Sequence, residues 1–269
     1  MAMRLDKFLA HAGLGTRSEV KKFIRSGRVL LNGAEAKRPE EQVEEGTEVL
    51  LDGEAVTKQE YEYYMLNKPG GVISASKDEG CKTVVQLIDC PHPQDLFPVG
   101  RLDKDTEGLL LLTNDGALAH ELLSPRKHVE KVYQVWVEGK VTEEDVELFA
   151  EGLDIGDEKR TRPAKLQNIC YYNQEGERIM SESTCAAQEN LEVALGGTSV
   201  YQTRLEVIIT EGRYHQVKRM FSKVGKPVQY LRRISMGNLV LDKELALGEY
   251  RRLTEEEVSG LKNSKLALR

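Results

Sequence analysis

Residues 100–116 read GRLDKDTEGLLLLTNDG. A polar segment carrying Asp103, Asp105 and Glu107 runs straight into the unbroken apolar run Leu109–Leu112, and Thr113-Asn114-Asp115-Gly116 closes it. A short apolar run bounded by turn residues is the pattern of a strand buried on both faces. The acids therefore stand in a loop at the edge of a buried sheet, where functional side chains concentrate. Taken alone, an aspartate in such a loop is more often a turn former or cap than a catalyst.

Outward from this stretch, strand patterns dominate. Tyr63-Tyr64-Met65-Leu66 precedes the loop Asn67–Gly71, Leu205–Ile209 is apolar and β-branched, and Lys131–Val137 alternates so that Tyr133 shares a face with Lys131 and Val135. Helix starts are expected after Asp115, after Thr142 with Val146, Phe149 and Ala150 inward, and after Thr254 with Glu257 three residues on. Many strands with few intervening helices indicate an α+β domain with a mostly antiparallel sheet. The chain has neither G-x-x-x-x-G-K-[ST] nor G-x-G-x-x-G, the two phosphate-cradling loops.

The first 58 residues read differently, as a small α/β module. Leu5, Phe8, Leu9 and Ala12 recur at helical spacing, Thr16 and Glu19 form a capping box, and Val20, Phe23 and Ile24 give the second helix its inner face. Val29–Leu31, the turn Asn32-Gly33 and a charged return predict a hairpin. The polar stretch 55–60 links this module to a second domain over residues 60–269.

With 269 residues, 40% hydrophobic and 30% charged, the chain can bury a sizeable core and falls outside the disordered and fibrous classes. The apolar run of four residues at Leu109–Leu112 is far short of the roughly 20 that a membrane helix needs, and the opening MAMRLDKF has no apolar stretch of the signal-peptide kind. A soluble cytoplasmic monomer without membrane contact is expected. Cys81, Cys90, Cys170 and Cys185 form no C-x-x-C pair, and only Cys81, Cys90 and His92 group loosely, so no metal site is expected. The net charge of −6 hides strong local imbalance. Residues 1–38 hold nine basic side chains against three acids, residues 39–60 one against eight, and residues 210–233 seven against one. Because counterion release depends on local phosphate contacts, the two basic segments form a workable polyanion footprint.

The run RLDKFLAHAGLGTRSEVKKFIRSGRVLLNG, residues 4–33, resembles the S-four type RNA-binding domain, named for a ribosomal small-subunit protein. The resemblance implies a basic RNA-binding face made by Arg4, Lys7, Arg17, Lys21, Lys22, Arg25 and Arg28. GRLDKDTEGLLLLTNDG resembles the catalytic signature of RNA pseudouridine synthases, and NKP, SPRKHVEKVYQV and EGRYHQVKRMF fall in the order and approximate spacing of that family's small-subunit, 16S rRNA branch. It implies Asp103 as the essential aspartate, Tyr133 as the active-site tyrosine, Lys218 as the aspartate's basic partner, Leu231 as the apolar residue under the uracil, and Arg101 as holding the target nucleotide out of its stack. Arg213 and Gln216 are expected at the substrate, and Arg126, Lys127, Arg219 and Arg233 at the RNA. The implied partner is ribosomal RNA or a small-subunit assembly intermediate. Residues from about 171 to 202 depart from the family as a polar insertion with one strand-like piece, Leu191–Leu195.

The chemistry asks for these residue types. Isomerising uridine breaks a carbon–nitrogen glycosidic bond, turns the base and joins a ring carbon to the same sugar, so no cofactor is required. An aspartate serves by attacking the ribose or the uracil ring, or by stabilising positive charge on the sugar and shuttling a proton. Each role needs the anion, which burial opposes and a cation within about 4–6 Å restores. Extruding the base costs a few kcal/mol, which makes a long, planar cation such as Arg101 a suitable replacement in the stack. Three other readings stand beside this one: a non-catalytic ribosome-assembly or RNA-binding protein, a synthase acting on large-subunit rRNA, and, remotely, a glycosidase using Asp103 and Asp105.

Overall fold

A computed structural model describes residues 3–44, 46–56, 61–90, 93–124, 127–181 and 201–263, and the chain divides into two units, Met1–Tyr61 and Glu62–Arg269. In the first unit, β1 (Met3–Arg4) leads into α1 (Leu5–His11) and α2 (Arg17–Arg25). The strands β2 (Val29–Leu31), β3 (Ala34–Glu35), β4 (Gln42–Val43), β5 (Val49–Leu51) and β6 (Glu54–Ala55) follow. The capping box forms as expected. Glu19 Oε2 accepts from the Thr16 amide at 2.7 Å and Thr16 Oγ1 from the Glu19 amide at 3.3 Å, satisfying two amides that the helix start leaves unpaired. Asn32 and Gly33 both take positive φ, 47° and 79°, as a two-residue hairpin turn demands. The acidic stretch from residue 39 on helps build this module: Val49–Leu51 pairs with Val29–Leu31, and Val43 and Val49 enter the core with Leu5, Leu9, Val20 and Ile24.

The second unit carries β7 (Tyr63–Lys68), β8 (Phe97–Pro98), β9 (Glu107–Thr113), α3 (Gly116–Leu123), β10 (Lys131–Glu138), α4 (Glu143–Glu151), β11 (Lys165–Tyr172) and β12 (Arg178–Ser181). After them come β13 (Gln202–Ile209), α5 (Gln216–Lys223), β14 (Val228–Met236), β15 (Leu239–Val240), β16 (Tyr250–Arg252) and α6 (Glu255–Asn263). Ten strands make one sheet in the order β12-β11-β13-β10-β14-β9-β7-β16, with β15 beside β14 and β8 beside β9. The sheet is antiparallel except where β14 meets β9 in parallel through Arg232–Glu107 and Arg233–Gly108. At that junction Gly108 has φ 96°, and a Cβ there would stand 2.2 Å from the Arg233 carbonyl oxygen, so the close approach requires glycine.

Both faces of the sheet are covered. Tyr133, Val135, Val207, Leu231, Leu110 and Leu112 pack with Phe149 of α4 and Val217, Met220 and Phe221 of α5. Leu109 and Leu111 point the other way, into a cluster with Leu118 and Leu122 of α3 and Leu261 of α6. The apolar run is thus buried on both faces. Ala150, expected inward, is exposed, and Asp145 is buried on α4 beside Phe149, its carboxylate serving the helix cap and pairing with Lys226 at 2.8 Å. Tyr171 and Tyr172, placed in the insertion by the sequence reading, complete β11, and Gln202 opens β13; β12 pairs with β11 between them. The strand-like piece at 191–195 lies outside the described residues.

Candidate active site

The loop ahead of β9 is fixed from beneath by Lys68, the last residue of β7. Its side chain is fully buried, and Nζ donates to the carbonyl oxygens of Pro69, Asp103, Lys104 and Thr106 at 3.1, 3.0, 3.2 and 2.8 Å. Ser74 Oγ adds a two-way tie to Leu102, donating to its carbonyl at 2.9 Å and accepting from its amide at 3.0 Å. Burial pushes the Lys68 ammonium down to about 8, while the nearby charges of Asp105, Asp103 and Glu107 hold it up. The string NKP alone gives its lysine no role. The signal within the sequence is a lysine that ends a strand of buried residues.

Held this way, Asp103 turns its carboxylate toward the start of α5. Lys218 Nζ lies 3.3 Å from Asp103 Oδ2 and His215 Nε2 lies 3.4 Å from Asp103 Oδ1. The expected partnership of Lys218 with Asp103 therefore forms, and the ammonium is also shared with Asp105, at 2.6 Å. Burial pulls the Lys218 pKa down, but the hydrogen bond to Asp105 and the charge of Asp103 outweigh it and raise the group above its ordinary value. The same hydrogen bond from Lys218 holds Asp105 below the usual carboxylate range. His215 sits at the helix start with φ 46° and ψ 35°, a left-handed conformation uncommon outside glycine, and stacks on Tyr214 at 3.8 Å between ring centroids. Its place beside the Asp103 carboxylate is not visible in the sequence, where the residue stands inside EGRYHQVKRMF without a role of its own.

A cavity of about 160 Å³ opens beside this cluster. Asp103, Tyr133, Lys218, Arg101, Leu231, Arg213 and Gln216 all line it, although they come from the 100–106 loop, β10, β14 and the 211–218 segment. Tyr133 and Leu231 supply buried ring and aliphatic surface, and Arg101 is exposed at its edge. Besides the Asp103–Lys218 pair, two of the seven are engaged internally. Arg213 donates to the carbonyls of Lys159 and Arg160 at 2.6 and 2.8 Å and pairs with Glu211 and Asp157, while Gln216 bonds to Glu211 at 3.0 Å and accepts from the Arg213 amide at 2.9 Å.

The cations expected on RNA divide in the same way. Arg219 is tied to Asp157 at 2.7 Å and to the carbonyls of Ile155 and Tyr214, and Arg233 is buried in the cavity wall. Lys127 is exposed, and Arg126 lies outside the described residues. In the first unit, Arg4 pairs with Asp6 and Glu40, Lys21 with Asp6, and Arg28 with Asp52. Arg17, Lys22 and Arg25 are exposed along α2, and Lys7 is half-buried. Among the described residues, no group of three or more His, Cys, Asp and Glu could hold a metal ion, His92 lies outside them, and no helix is long and apolar enough to cross a membrane.

The family described as RNA pseudouridylate synthase matches residues 62–223, within the unit that holds this cavity. The chain belongs to the RNA pseudouridine synthases. The S4 domain family matches residues 3–49, the first unit. An uncharacterized RNA pseudouridine synthase of Bacillus subtilis is 45% identical over 261 residues, covering 95% of this chain and 97% of that one. A ribosomal small subunit pseudouridine synthase A of Escherichia coli is 37% identical, covering 96% and 100%. A crystal structure of pseudouridylate synthase superposes with a TM-score of 0.61 at 38% identity, covering 96% of this chain and 99% of that one. The enzyme is thus an isomerase of uridine in RNA, built as an RNA-binding S4 domain and a catalytic α+β domain.

Proposed function

We propose that this synthase modifies a uridine of 16S ribosomal RNA, with Asp103, Tyr133 and Lys218 at the reacting nucleotide. The observation that carries the residue assignment is the meeting of an anion, its cation, an aromatic ring and an aliphatic floor in one cavity, from segments far apart in the chain. The target assignment rests on relatives named for the ribosomal small subunit that align over nearly the whole length of both chains.

The geometry suits the chemistry. An extruded uracil entering the cavity finds the Tyr133 ring and Leu231 as apolar walls, the usual means of holding a flipped base. Asp103, 3.3 Å from the Lys218 ammonium, stands ready as nucleophile or as counter-charge to the sugar. The glycosidic carbon–nitrogen bond breaks, the base turns, and its ring carbon 5 joins the ribose. That carbon then loses its proton while the freed ring nitrogen gains one, so atoms balance without an external donor. Tyr133, on the cavity wall, carries a hydroxyl that can serve that proton movement. Arg101 at the rim takes the place left in the RNA stack, and Arg17, Lys22 and Arg25 of α2 contact RNA phosphates.

Mapping pseudouridines in 16S and 23S rRNA from a strain lacking this protein tests the target. The expected result is one uridine of 16S rRNA left unmodified and restored by the intact gene. Loss of a site in 23S rRNA instead would overturn the small-subunit assignment while leaving the activity intact.

A further inference from the structure

Two cations in the cavity wall have no part in the scheme above. Lys131 opens β10 and Arg233 lies opposite Tyr133 in β14; both line the cavity and are 8% and 2% exposed. Lys131 Nζ donates to one oxygen, the Val129 carbonyl at 3.0 Å. Arg233 Nε donates to the Leu109 carbonyl at 2.8 Å, and its Nη2 is buried with no partner among the described residues.

Neither meets a carboxylate of the described residues within 4.0 Å. The acids of the cavity are committed elsewhere: Asp103 to Lys218 and His215, and Glu211 to Arg213 and Gln216. Burial and the neighbouring Arg233 push the Lys131 ammonium down to about 8. Two like charges held in a low-dielectric wall without a counter-ion are unfavourable in the empty protein, and a compact anion with several acceptor oxygens relieves both. A uridine in RNA carries such a group on each side of its ribose, whereas its base is neutral before reaction.

We propose that Lys131 and Arg233 bind a phosphate group flanking the target uridine and so fix the position of its ribose in the cavity. This rests on the reading that the cavity receives the target nucleotide. Phosphate recognition is then built into the catalytic domain through side chains that the surface does not display.

The test compares uridine with uridine 3′- and 5′-monophosphate binding to the full-length protein, by calorimetry at low ionic strength. A monophosphate is expected to bind about tenfold or more tightly than uridine, the range for charge-assisted hydrogen bonds. Lys131→Met, which removes a buried charge at nearly constant volume, is expected to erase that preference. Asp103→Asn is expected to keep it, so failure of the catalytic assignment and failure of the phosphate site give different results. Equal binding of uridine and both monophosphates by the unmodified protein, which needs no variant to fold, overturns the proposal. So does a preference that survives Lys131→Met but disappears on joint replacement of Arg17, Lys22 and Arg25 in the S4 domain.

Discussion

The S4 unit and the catalytic unit both contain basic segments, but the exposed cations of α2 contrast with those that build the catalytic cavity. On α2, Arg17, Lys22 and Arg25 project from the surface, ready for a mobile polyanion. In the catalytic unit, Lys68 and Arg233 are sunk into the structure, Lys218 is shared between two aspartates, and Arg213 and Arg219 are bound to carbonyls and acids of the 155–160 segment. Surface cations give salt-dependent affinity that no single residue dominates. Buried ones set the shape and the charge of a site, and their loss leaves partners stranded in a low dielectric. Residues 1–38 and residues 210–233 each carry a net charge of +6, so charge counts alone do not separate the two uses.

The comparison predicts its largest effect at Lys68. Lys68→Met takes a donor from four carbonyl oxygens, leaving those of Asp103 and Lys104 with the Thr106 and Gly71 amides alone, and frees the loop that carries Asp103. Stability should fall by about 2–6 kcal/mol, from stranding the Pro69 and Thr106 carbonyls at about 1–3 kcal/mol each, and urea unfolding followed by circular dichroism measures it. A loss near zero would mean that the loop holds its own shape. Lys218→Met comes next. It leaves Asp103 and Asp105 facing each other without their shared cation, and kcat in a tritium-release assay should drop by about 100- to 1,000-fold, the size of losing one preorganised electrostatic partner.

On the other side of the comparison, joint replacement of Arg17, Lys22 and Arg25 by alanine should leave the fold intact. It should reduce the slope of log affinity against log salt by about 2, since each phosphate that is no longer neutralised removes roughly 0.7–0.9. Filter binding to 16S rRNA over a salt series measures this, and an unchanged slope would remove α2 from RNA recognition. The smallest effect is in pH dependence. Lys131 releases its proton near pH 8 when folded and nearer 10.5 when unfolded, so between those values the unfolded chain binds more protons and stability rises with pH. Lys131→Met should flatten that rise in the urea midpoint, while below pH 8 the slope should match the parent.

What the sequence displayed were the features with local signatures. The capping box at Thr16 and Glu19, the turn Asn32-Gly33, the two-sided burial of Leu109–Leu112 and the alternation that puts Tyr133 on an inner face are decided by neighbours within a few residues. The meeting of Asp103, Tyr133, Lys218 and Leu231 was legible only through four motifs in family order, because no local pattern says which strands adjoin. Other features depended on distant partners. Lys68 is a clamp because carbonyls some 35 residues away turn toward it, and Arg219 is committed because Asp157, 62 residues earlier, lies beside it. Ala150 was misplaced for a related reason: Lys226 makes Asp145 acceptable inside, which moves the buried stripe of α4.

The central claim is that the Asp103 carboxylate, paired with Lys218, does the chemistry of this synthase. Asp103→Asn keeps the size of the side chain and removes its charge, so tritium release from carbon 5 of uridine in 16S rRNA should vanish while the urea midpoint and RNA affinity stay close to the parent values. Continued turnover by a folded, RNA-binding Asp103→Asn protein would contradict the account.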